Sequence, residues 1–312
     1  MHPSRRQFLA VSAAAALSVP AWANESDSIL DCHTHFYDPT RPVGVPWPGK
    51  ADKLLYRRVL PADYHAVAKP LGITGTVIVE ASSWVEDNQW LLDLKGGPLS
   101  IPGIVGRLAA GTPEFAGQLE RFRKSNRWLG MRLNADQLDK LDRASPVLRD
   151  LKQLSEANRE LDINGGPGML PLVNQLAKAL PDLRILINHC ANLPIDGKAP
   201  PAEWIQGMTM AAKHSNVFCK VSSLVGGAAQ RRPANAPVPA DPAFYRPVLH
   251  VLWDTFGPDR LIFGSDWPVS ERFAPLATVF GIVDAFFRDQ GQEAYRKFFA
   301  GNAARAYRWP GA

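Results

Sequence analysis

The sequence predicts an α/β fold, a (β/α)8 TIM barrel with a C-terminal helical extension. Short apolar runs alternate with amphipathic ones along almost the whole chain. The apolar runs number eight, and they are rich in Val, Ile, Leu and Phe, as strands buried on both faces should be. Strand and helix in strict alternation make parallel βαβ units, and eight of them close into one barrel of roughly 250 residues. The 312 residues, 46% hydrophobic and 21% charged, leave room for that core and for insertions. An open doubly wound sheet is the alternative, but no glycine-rich phosphate turn follows the first apolar run.

The first residues stand apart from this pattern. Arg5 and Arg6 precede an apolar stretch through Val19 and a small-x-small site, Ala21-Trp22-Ala23, so residues 1–23 read as a twin-arginine signal peptide. A membrane anchor is the other reading, but the stretch is shorter than the roughly 18 residues a spanning helix needs. The expected consequence is export by the twin-arginine machinery into the periplasm, after folding, with any metal acquired inside the cell. Residues 24–312 read as a single barrel domain with no solenoid repeat or dividing linker.

Strands are predicted at 28–33, 75–81, 101–108, 128–133, 161–165, 184–189, 217–222 and 260–265. Helical patterns fall at 61–69, 86–94, 114–124, 146–158, 170–180, 202–214 and 243–256, with 274–288 and 293–307 after the last strand. Two proline-rich stretches, 38–60 and 226–242, follow strand ends, where barrel enzymes keep their substrate loops. The formal charge of +5 includes Arg5 and Arg6 and is otherwise dispersed, which argues against nucleic acid as a partner. Cys32, Cys190 and Cys219 each sit in an apolar run and read as small core residues. Strand alternation should turn Cys32 and Cys190 away from the histidines beside them.

The chemistry concentrates at strand ends. The first strand closes in His33-Thr34-His35, and a side-chain period of two sends both imidazoles to one side with the spacing to hold a metal ion. The sixth ends in His189, a position where a lone histidine is often a satisfied core residue. The eighth leads into Asp266, whose structural alternative is a cap on the next helix. In a closed barrel the first and eighth strands are neighbours, so His33, His35 and Asp266 converge at one mouth.

With these residues the chain resembles the amidohydrolase superfamily, and within it the lactonase-like branch of amidohydrolase-related proteins. The resemblance spans almost all of 24–312: Asp31-Cys32-His33-Thr34-His35-Phe36-Tyr37-Asp38-Pro39, Leu129-Gly130-Met131-Arg132, Asn216 to Ser222, Phe256 to Arg260, Phe263 to Pro268, and Gly301-Asn302-Ala303-Ala304-Arg305. It implies a reaction centre of the first-strand histidines, His189 and Asp266, commonly used to hydrolyse sugar-acid or ring-cleavage lactones. It also shows departures. The fourth strand ends Met131-Arg132-Leu133-Asn134 and the fifth Ile163-Asn164-Gly165-Gly166, without the bridging and histidine ligands of two-metal members. One divalent ion, zinc foremost, held by His33, His35, His189 and Asp266 is therefore expected. The branch also contains metal-independent members, in which such histidines donate hydrogen bonds to the substrate.

Other residues near the mouth have two readings each. Arg132 and Arg107 suit a substrate carboxylate, or an ion pair with Glu80. Lys220 reads as half of a buried ion pair. Trp47, Trp84 and Trp267 suit an apolar wall for a ring, or packing. The expected reaction is lactone opening, with Asp266 as general base and the ion or histidines polarising the carbonyl. Its rivals are non-oxidative decarboxylation and an inactive periplasmic binding protein that kept the pocket.

Overall fold

β-Branched and leucine-rich runs build all eight predicted strands, and the computed structural model describes residues 28–138, 145–234 and 236–309. The signal-peptide reading of 1–23 lies outside the described residues. The strands are β1 (Ile29–Thr34), β2 (Ile73–Val79), β3 (Ile104–Gly106), β4 (Trp128–Asn134), β5 (Glu160–Asn164), β6 (Ile185–Ile187), β7 (Val217–Val221) and β8 (Leu261–Phe263). They pair in sequence order, each parallel to the next. Closure comes just beyond the ends of β1 and β8. There Asp266 N donates to His33 O at 2.8 Å and His35 N to Trp267 O at 2.8 Å.

Helices follow the strands as predicted, at Pro61–Ala68, Asp87–Asp93, Phe115–Phe122, Pro146–Glu156, Leu170–Ala179, Ala202–Ala212, Arg246–Phe256 and Leu276–Asp289. The terminal helical pattern resolves into Gln292–Arg296, a π turn at Lys297–Gly301 and Asn302–Tyr307. One short helix, Leu224–Ala229, lies where a proline-rich loop was expected to begin. It forms because Gly226 and Gly227 let it lie close: a Cβ on Gly227 would meet Leu193 O at 2.4 Å. No helix among the described residues is long and apolar enough to cross a membrane.

Alternation splits the core into two layers. Ile185 and Ile187 pack outward under the helices, whereas Leu186 joins Leu30, Val79, Leu129, Phe218 and Ile262 in the lumen. Ala303, Ala306 and Tyr307 of the last helix belong to that inner cluster and close its lower end. Asn302 ties this plug to the start of β8 by donating to Leu261 O at 2.9 Å. Lys220 and Asp162 lie fully buried in the lumen as the expected ion pair.

The cysteines are buried and free, Cys32 in the inner layer and Cys190 and Cys219 in the outer one. For Cys190 strand alternation is not the reason. β6 ends at Ile187, and the chain is already in a turn when it reaches Cys190.

Candidate active site

At the mouth, the register between β1 and β2 shifts between Asp31 and Thr34 as the chain leaves the strand. Asp31, which the sequence reading did not single out, holds that exit in place. Its Oδ1 accepts from His33 N at 3.1 Å and Ser265 N at 2.8 Å, and its Oδ2 from Tyr64 OH at 2.6 Å. One carboxylate thus fastens β1, the end of β8 and the helix Pro61–Ala68 together. Its only signal was its place two residues before His33.

His189 sits in a left-handed turn, with φ of +55° at His189, +52° at Cys190, +59° at Ala191 and +45° at Asn192. Such conformations cost non-glycine residues roughly 1–2 kcal/mol each. Surrounding bonds hold the turn: Trp204 Nε1 donates to Cys190 O at 2.9 Å, and Asn192 Nδ2 to Asn164 Oδ1 and Gly165 O, both at 3.0 Å. This strain sits in the residues that aim the imidazole. Asp266 is also left-handed, at φ +61°.

The four expected residues meet. Asp266 Oδ1 lies 3.3 Å from His35 Nε2, 3.8 Å from His189 Nε2 and 3.9 Å from His33 Nε2. The carboxylate therefore faces three imidazoles, and the helical turn that follows, Val269–Arg272, has no side-chain cap. His35 Nδ1 is 2.9 Å from Val79 O, and His189 Nδ1 is 2.8 Å from Ser222 Oγ. Ser222 carried no signal in the sequence beyond its place at the end of the seventh run.

Electrostatics separate the roles. Burial, with the charges around it, pulls His189 down to about 4 although Asp266 opposes this. Burial likewise holds His33 well below the ordinary histidine range, helped by His189 and Lys220. For Asp266 burial works against ionisation, but His189 and the hydrogen bond from His35 outweigh it, so its carboxyl lies below the usual value. At neutral pH the centre is an anionic carboxylate beside neutral His33 and His189.

The geometry fits a divalent ion at this point. One ligand atom each from His33, His189 and Asp266 lie within 4.8 Å of one another, and buried His33 Nε2 has no hydrogen-bond partner. His35 stands beside this group. Its Nδ1 lies against the Val79 carbonyl and its Nε2 faces the Asp266 carboxylate.

Around the centre, Glu80 is only 4% exposed and carries two guanidinium groups. Arg132 Nε is 3.1 Å from Glu80 Oε1 and Arg107 NH1 is 3.8 Å from it, so the ion-pair reading of both arginines holds. Two positive charges against one carboxylate still leave the cluster cationic. Asn88 fixes the backbone of Arg107 with a pair of bonds, at 2.7 and 2.9 Å. Trp47 meets His35 edge-on with ring centres 6.2 Å apart. Trp84 is 40% exposed beyond the end of β2, and Trp267 is buried against Tyr64 and Phe36 as core.

Comparison with known proteins relates the whole chain to amidohydrolases and lactonases. An L-fucono-1,5-lactonase of Burkholderia ambifaria is 30% identical over 89% of this chain and 95% of its own. A second protein of that name, from Burkholderia multivorans, is 27% identical over 90% and 96%. A crystal structure of an amidohydrolase from Burkholderia multivorans with bound zinc superposes with a TM-score of 0.77 at 24% identity, covering 91% of this chain and all of the other. The family model described as amidohydrolase matches residues 30–309, and the chain belongs to that family.

Proposed function

We propose that this protein is a hydrolase that opens the lactone of a sugar acid, with Asp266 as the general base. The observation that carries this reading is the buried, ionised Asp266 carboxylate facing three imidazoles at 3.3 to 3.9 Å. Asp266 takes a proton from water as the water oxygen attacks the lactone carbonyl. His33 and His189 lie where the developing oxyanion needs positive ends of dipoles. The ring C–O bond then breaks, and the proton held by Asp266 passes to the leaving alkoxide. A divalent ion, zinc foremost by ligand type, would be held by His33, His189 and Asp266 and would polarise the carbonyl when bound.

The relatives named for L-fucono-1,5-lactone make that compound the first substrate to test. Asp266→Asn keeps the shape and removes the base, so kcat should fall by roughly a hundredfold to ten-thousandfold. Circular dichroism and metal content are measured on the same sample. A variant that keeps its metal and hydrolyses an established lactone within a few fold of the parent would rule the assignment out.

The cationic Arg132–Arg107–Glu80 cluster favours a second reading, decarboxylation of a carboxylate held by the arginines. Carbon dioxide release in place of ring opening distinguishes the two. Turnover of either kind excludes an inactive binding protein. Export through the twin-arginine route is the companion proposal, supported by Arg5-Arg6 and the small-residue site at Ala21-Trp22-Ala23. Replacing both arginines with lysine should leave full-length protein in the cytoplasm. Unchanged periplasmic recovery would count against export by this route.

A further inference from the structure

The end of the barrel opposite the mouth holds a buried cation that no carboxylate among the described residues pairs with. Arg184, one residue before β6, is only 4% exposed. Its guanidinium donates to Ala306 O at 2.5 Å, Asn158 Oδ1 at 2.7 Å and Asn158 O at 2.9 Å, all neutral oxygens. Arg308 NH1 donates to the same Asn158 Oδ1 at 3.0 Å, which sets a second guanidinium beside the first. A buried charge is ordinarily paired, because an unpaired one costs several kcal/mol. Burial, and then the Arg308 charge, draws Arg184 down to about 10. Glu160 acts the other way, but it is wholly buried and held in its protonated form, so it does not serve as the counter-ion.

A cavity of about 450 Å3 opens at this point, within the roughly 300–1,000 Å3 of small-molecule sites. Arg184, Arg305 and Arg308 line it, with the hydroxyls of Ser155 and Ser215. Asp182 is the one carboxylate in its walls. Asp259, 3.4 Å from Arg305, also answers Lys297 at 3.1 Å. Three guanidiniums less the Asp182 charge leave two positive charges, which a dianion balances and a monocarboxylate does not. We propose that this cavity binds a phosphoryl dianion, free phosphate or a phosphate monoester, which bridges Arg184 to Arg305 and Arg308. Guanidinium forks match phosphate oxygens, and the tetrahedral group reaches donors on several sides at once. The bound anion fastens the plug helix Asn302–Tyr307, with Arg308 just beyond it, to the start of β6.

None of the tests uses turnover, so they stand apart from the lactone assignment. Calorimetry of the purified protein with sodium phosphate, at constant ionic strength, should show one site per chain. Phosphate should also raise the Tm above that in chloride of equal ionic strength. Arg305→Gln combined with Arg308→Gln, both exposed in the parent, should weaken phosphate binding about tenfold or more and abolish the rise in Tm. Ser215→Glu tethers a carboxylate in the cavity, so it should compete with phosphate and raise the Tm in phosphate-free buffer. Glycerol 3-phosphate binding more tightly than inorganic phosphate identifies a monoester as the occupant. Equal or weaker binding identifies free phosphate. Absence of both the heat and the phosphate-specific rise in Tm would overturn the proposal. So would phosphate affinity within about twofold of the parent in a folded double variant, which would put the anion elsewhere, as at Arg132 and Arg107. If the double variant does not fold, unchanged phosphate affinity in Ser215→Glu overturns it instead.

Discussion

Three imidazoles share one carboxylate, yet each is fixed by a different partner, and this makes the pH response of the site predictable. Asp266 ionises below the ordinary carboxylate range, and His189 takes up a proton only near about 4. The base is in its active form whenever it is deprotonated, so the acid limb that Asp266 sets in log kcat/KM for an established lactone should fall below about pH 4, where His189 also takes up its proton. A rate that holds its plateau unchanged down to pH 3 would contradict this assignment. Of these residues, His33, His35, His189 and Asp266 were legible because polar side chains that end apolar runs have few structural reasons to be there. Asp31, Ser222 and the Val79 carbonyl were not, since their roles depend on which strand lies beside which and on a backbone group that no sequence pattern marks.

At the scale of elements, the seam between β1 and β8 carries most of the positional accuracy of the site. Gly264, just past β8, packs tightly between β1 and the end of β7, and a Cβ there would lie 2.7 Å from His33 Cβ and 3.2 Å from Ser222 Cβ. Neither neighbour is a flexible tip, so Gly264→Ala must displace His33, and with it the water-activating arrangement. We expect kcat to fall at least tenfold while overpacking costs about 1–3 kcal/mol of stability, read from urea unfolding. Parent-like kcat in the folded variant would show that the seam tolerates movement. The periodic pattern located every strand and nearly every helix, because burial on fixed faces sets those periods. It failed where the backbone leaves them. The left-handed turn at His189–Asn192 and the helix Leu224–Ala229 depend on tertiary bonds and on close glycine contacts.

At the scale of the whole molecule, the lumen sets a few buried charged groups among its apolar side chains, and these charges tie folding to pH. The eightfold alternation made the barrel legible, and with it Lys220 as half of a buried ion pair. That Asp162 would be its partner, with Glu160 and Tyr307 beside them, was not, because a charged residue in a strand run gives no sign of its distant partner. Glu160 is fully buried, both its carboxyl oxygens lack partners, and burial followed by the nearby Asp162 charge pushes its carboxyl well above the usual value. The folded protein therefore holds a proton at Glu160 that the unfolded chain releases near its ordinary value of 4.5. Where the folded state binds more protons, stability falls as pH rises. Glu160→Gln copies the shape of the protonated acid and needs no proton. It should raise the Tm relative to the parent at pH 7.5, and the gain should shrink steadily as pH falls toward 4.5. His33 and His189 have the opposite linkage, since they are neutral when folded and lose stability as pH drops below 6.5. They are present in both proteins and cancel in the comparison. A Tm difference that is the same at pH 5 and pH 7.5, or a loss at both, would show that the folded protein holds no extra proton at Glu160.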